Sequence, residues 1–112
     1  MATPLNVFKT VTKDITTSNE VVYTAPTGVT AIVLMAQVAN ITTSTADVTF
    51  AHYDTSTTTE TELVKELDIP ANDATSVTTG KLVIEAGDSV KVQASANSAL
   101  KLTMSILESL NA

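Results

Sequence analysis

A chain of 112 residues, 44% hydrophobic and 16% charged, has room for one hydrophobic core and not for two. Six lysines and no arginine stand against twelve acidic residues, a formal charge of −6, which argues against the arginine-bearing basic grooves that grip nucleic acids. Without cysteine there is neither a disulfide framework nor a thiolate metal site, and no apolar run approaches the roughly 20 residues of a membrane-spanning helix.

The chain opens with no basic segment leading into an apolar one, so no secretion signal is expected. Residues 1–8, with Pro4, read as an extended arm, and residues 9–112 as a single domain. The count of 21 Thr and 13 Val biases that domain toward strand, because β-branched side chains suit a pleated surface. A first strand is expected over 5–16 and a second over 20–25, closed by the turn Pro26-Thr27-Gly28. The third, 29–40, breaks the strand alternation: Ala31 to Ala36 is apolar at every position. A strand in a two-layer sandwich buries one face, so the other face here needs a cover from the arm, a crossing strand or another subunit.

Between Asp47 and Tyr53 the alternation returns, with Val48, Phe50 and His52 on one side. The Thr-rich stretch Asp54 to Thr61 reads as a solvated surface loop. Leu63, Leu67 and Ile69 share a face interrupted by Lys65, an edge-like pattern. Residues 60–68 also carry helical propensity, but Pro70 follows and the surroundings are all strand. Short strands at 74–79 and 81–85 precede Ala86-Gly87-Asp88. Val90, Val92 and Ala94 then alternate with Lys91, Gln93 and Ser95, and Leu100, Leu102, Met104 and Ile106 with Lys101, Thr103 and Ser105. About eight short strands, regular turns and no long helix predict an all-β fold, an antiparallel β-sandwich or jelly roll.

Chemical motifs are few. His52 has no second His or Cys to complete a nucleophile pair, and it reads as a hydrogen-bonded structural imidazole at the core's rim. Three isolated glycines (28, 80, 87) cannot build a phosphate loop. Asp54, Glu60 and Glu62 flank the Thr-rich loop without calcium-loop spacing, and Glu85 and Asp88 read as a solvated hairpin tip. Asn40-Ile41-Thr42 matches a glycosylation sequon that has no meaning without secretion. Tyr23 and Tyr53 are the only aromatics to consider as sugar platforms, and neither has an acidic companion at fixed spacing. No catalytic, cofactor or metal residues are assigned, and the expectation is a protein that works by its surface.

Val22 to Val33, Val38-Ala39-Asn40, Gly80 to Asp88 and Ala94-Ser95-Ala96 together resemble small virion structural proteins of tailed bacteriophages, over about three quarters of the chain. The resemblance implies a non-enzymatic virion component, assembled in the host cytoplasm: a head decoration (cement) protein, or alternatively a neck, tail or fibre accessory protein. It implies no catalytic motif. The expected partners are the major capsid protein or another virion protein and further copies of the chain, as a dimer or trimer, with neither nucleic acid nor membrane. Ala31, Val33 and Met35 of the doubly apolar strand, with Pro4, Leu5 and Val7 of the arm, are the candidate interface residues. A carbohydrate-binding β-sandwich module is the rival from another class.

Overall fold

The computed structural model describes residues 6–110 and contains, among them, nine strands and no helix. They are β1 (Asn6–Asp14), β2 (Glu20–Thr24), β3 (Val29–Asn40), β4 (Ala46–Asp54), β5 (Thr59–Ile69), β6 (Ala74–Ser76), β7 (Leu82–Ile84), β8 (Ser89–Ala94) and β9 (Leu100–Leu110). The helical alternative over 60–68 is not realised, because β5 pairs with β4 along its length. Asn6, Val7 and Phe8, which end the expected arm and also fall within the first strand expected over 5–16, lie in β1, hydrogen-bonded to β9.

One sheet runs β1-β9-β3-β6, with β7 also on β3, and the other runs β2-β8-β4-β5; every pairing is antiparallel. The pairs are nested: β1 with β9, β2 with β8, β3 with β6 and β7, β4 with β5. A ribbon of nested antiparallel pairs wrapped into two sheets is a jelly roll. Its eight positions are filled here by nine elements, because β6 and β7 pair with different stretches of β3.

Alternation decides which side chains meet between the sheets. Leu100, Leu102, Met104 and Ile106 face inward from β9, Val90, Val92 and Ala94 from β8, and Val48 and Phe50 from β4. Phe50 is the largest side chain fully buried, and burying a ring of that size contributes about 1.5–3 kcal/mol. A bulge in β3 between Val33 and Met35 resolves its apolar run. Val29, Ala31 and Val33 point inward before it and Ala36 and Val38 after it, so the strand changes parity and still feeds one core.

The turns obey their backbone demands. Val29 N donates to Pro26 O, Asp88 N to Glu85 O and Asp73 N to Pro70 O, and the third residue of each turn has positive φ: Gly28 (77°), Gly87 (88°) and Asn72 (58°). That is the type II requirement. The 40–44 connection is organised by Asn40, which is 2% exposed. Its Nδ2 donates to Ser44 O (2.8 Å) and Ile69 O (2.9 Å), and its Oδ1 accepts from Thr42 N (2.9 Å) and Thr42 Oγ1 (2.7 Å). The sequon asparagine is thus a buried strut, with its amide nitrogen fully engaged.

Polar clamps close the sandwich where its edge strands β1 and β2 face one another. Lys13 Nζ lies 3.5 Å from Glu20 Oε1, and Lys9 Nζ 3.3 Å from Glu108 Oε1. Glu108 is buried and also accepts a hydrogen bond from Tyr23 Oη. Burial, reinforced by that carboxylate, pushes the Tyr23 phenol well above its ordinary range.

Candidate interaction surface

Residues directly opposite in a ladder share a face. On the outside of the first sheet, Phe8 lies opposite Leu107, Leu107 opposite Ile32, and Ile32 opposite Val83. Four strands thereby align four apolar side chains in a row across the sheet. Phe8 is 74% exposed and Val83 54%, while Ile32 and Leu107, between them, are half-buried. Met35, opposite Ser105 in the next row, extends the patch along β3. Beyond it the outward positions carry Thr10 and Ser105, Thr12 and Thr103, then Asp14 and Lys101, whose Oδ1 and Nζ pair at 3.0 Å. The broad outer face of this sheet is apolar at one end, hydroxyl-rich in the middle and electrically balanced.

The other sheet presents the opposite character. Residues 46–69 hold Asp47, Asp54, Glu60, Glu62, Glu66 and Asp68 against Lys65 alone, which accounts for most of the chain's excess negative charge. Partial desolvation, then the nearby Glu66 and Asp68 charges, raise the Asp47 carboxyl above its ordinary value. Lys91 of β8 offsets part of this: its Nζ lies 3.6 Å from Glu60 Oε1 and 4.4 Å from the centre of the Tyr53 ring.

The expected interface residues divide. Ala31 and Val33 are fully buried in the core, because the β3 bulge puts Met35 on the opposite face from them. Met35 is exposed on the outer face, and Val7 is exposed on β1 opposite Glu108. Pro4 and Leu5 lie outside the described residues. Sequence reasoning missed the row itself. Phe8 as a lone ring among Thr and Lys, and Leu107 as an apolar intruder on the polar side of β9, were its visible signals.

His52 lies on the inner side opposite Val90, as its alternation requires, with Nε2 3.5 Å from Asp88 Oδ2. Contrary to expectation, neither of those two buried atoms has a hydrogen-bond partner. Nor is Asp88 a solvated hairpin tip: it is buried, and its Oδ1 accepts from Thr55 N (3.1 Å), tying the Thr-rich loop to the β7–β8 turn. The loop's own carboxylates do not converge, since Asp54 Oδ1 accepts from Ser56 N and Oγ while Glu60 engages Asn19 and Lys91. Among the described residues no three metal-capable side chains gather. Tyr23 does have an acidic companion, Glu108, brought to it by the fold from 85 positions away.

No protein-family model matches the chain, and no curated protein matches it. Solved structures do. A chain from the acidic-stable capsid of Helicobacter pylori bacteriophage KHP30 superposes with a TM-score of 0.58 at 13% identity, covering 97% of this chain and 90% of that one. A chain from the disulfide-linked pili of Bacillus endospore appendages superposes with a TM-score of 0.57 at 12% identity, covering 96% and 88%. At such identities the shared property is the fold.

Proposed function

We propose that the chain is a non-enzymatic structural subunit of a virion, most specifically a decoration (cement) protein that sits on the outer capsid shell and bridges neighbouring capsid subunits. The observation that carries the reading is the split surface: a rigid jelly roll with one acidic broad face and one balanced, partly apolar broad face. The likeness in fold to a phage capsid chain and to a pilus chain supports a role in a many-subunit assembly.

A cement protein needs contact area more than chemistry. Burying apolar surface contributes about 25 cal/mol per Å², less the costs of ordering and association. Copies that touch two shell subunits at once gain further from effective concentration, so modest individual contacts suffice. A disulfide-linked filament is a poor alternative, because this chain has no cysteine. A sugar-binding module is also disfavoured: Tyr23 is buried against Glu108, and Tyr53 carries Lys91 over its ring.

A side-chain-resolution electron-microscopy map of particles purified from cells producing the protein tests the reading. The expected result is density for the chain on the outer shell, between subunits of the major capsid protein. Density confined to the portal vertex or tail would replace it with the neck or tail accessory role. Absence of the chain from pure particles would remove both.

A further inference from the structure

The outer face of the β1-β9-β3 sheet points to a second copy of this chain as its occupant: we infer a two-fold dimer in which the rows Phe8–Leu107–Ile32–Val83 of two subunits pack against each other. The inference deepens the assembly-subunit reading and rests on it, but it is testable on the isolated protein.

Geometry supplies the first argument. A two-fold axis lying in the face maps a straight row onto itself, so apolar meets apolar with no second complementary patch. β1, β9 and β3, of 9 to 12 residues, span roughly 14 by 34 Å at about 4.8 Å between strands and about 3.4 Å per residue, and the three-residue β6 and β7 add about 100 Å². That is about 600 Å² from each copy and about 1,200 Å² in total, at the lower end of the range of about 1,200–2,000 Å² of stable, specific interfaces.

Charge supplies the second. Each copy carries a net −6, so two copies repel through most orientations. The acidic stretch 46–69 lies on the other sheet. On the β1-β9-β3 face the outward charges are Asp14 and Lys101, already paired with each other. This face is the one on which like chains approach without stacking like charges. The third argument is the edge: Lys9 and Lys13 sit at inward positions of β1, engaged with Glu108 and Glu20, which discourages strand addition there and leaves the face as the route to association.

Sedimentation velocity and equilibrium on the full chain test the proposal, across a range reaching about 100 μM, where a standard-size interface is occupied. Wild type is expected to sediment as a dimer, tightened by added salt because screening weakens the −6 repulsion. Phe8→Glu and Val83→Glu should each weaken dimerisation at least about tenfold, since each puts a charge into the apolar row that the contact buries. Val21→Glu, at an exposed position of β2 in the other sheet, should leave it unchanged. Phe8→Ser, with a thermal melt alongside, keeps the test valid should a glutamate variant fail to fold. A monomer throughout that range, a trimer, or a dimer indifferent to Phe8 and Val83 but broken by Val21→Glu would overturn the inference. So would a monomer that binds intact particles through Phe8, and in that case the assembly-subunit reading survives.

Discussion

Replacing Asn40 by aspartate changes one amide group into a carboxylate of the same shape, and its consequences follow from four distances. The amide nitrogen faces two backbone carbonyls, Ser44 O at 2.8 Å and Ile69 O at 2.9 Å, while the oxygen already accepts from Thr42. Asn40→Ala removes these bonds and takes the amide donor from the buried Ile69 carbonyl, while Ser44 O keeps Thr42 Oγ1 at 3.0 Å, a loss of about 2–3 kcal/mol. Asn40→Asp at neutral pH adds repulsion between a buried anion and two carbonyl oxygens, so it should cost more, about 4 kcal/mol. A chain of 112 residues melts with an entropy of roughly 0.24 kcal/mol/K, so the alanine variant should lose about 8–12 °C and the aspartate variant about 17 °C. The new carboxyl is held above its ordinary range in the fold. Its protonated form is the tolerated one, and stability is therefore lost as pH rises through the raised value and regained as pH falls. Calorimetry or circular-dichroism melts at pH 7 and about pH 4 should show the aspartate variant moving toward, or past, the alanine variant at the lower pH. Equal melting of wild type and Asn40→Asp at pH 7, or a deficit that ignores pH, would refute the reasoning.

Tyr23→Phe deletes the donor to buried Glu108 and should cost about 1.5–3 kcal/mol by urea titration; the same change at Tyr53, outside the core, should cost little. Gly87→Ala, at φ 88°, should destabilise by about 1 kcal/mol through backbone strain alone, since an added Cβ would meet nothing within 4 Å, whereas Gly80→Ala should be neutral or slightly stabilising. Asp47→Asn removes a carboxylate whose ionised form the fold disfavours. The contribution of Asp47 to stability is therefore fullest below the ordinary value of 3.8 and falls as pH rises through the raised value. The substitution should accordingly stabilise by about 0.3 kcal/mol at pH 7, with the gain vanishing in acid melts.

Period-2 alternation made β4, β8 and β9 legible, since Val48 to His52, Val90 to Ala94 and Leu100 to Ile106 each state which side meets the core. The turns at Gly28 and Gly87 were legible for an equally local reason, glycine's tolerance of positive φ. What local pattern does not carry is register. Ala31, Val33 and Met35 look like one face of a strand, and a single bulge separates the third from the first two. The pairing of Tyr23 with Glu108 and the alignment of Phe8, Leu107, Ile32 and Val83 depend on contacts between distant strands, which one sequence encodes only jointly. The burial of Asp88 likewise depends on Thr55, 33 positions away, folding over it.

The place of β9 between β1 and β3 has a consequence for timing. Phe8, Ile32 and Val83 all precede Leu107 along the chain, and Leu107 is the residue that joins Phe8 to the other two. A nascent or C-terminally truncated chain displays loose apolar side chains and no continuous stripe. Any association that uses the stripe is then reserved for molecules in which β9 has already docked between β1 and β3.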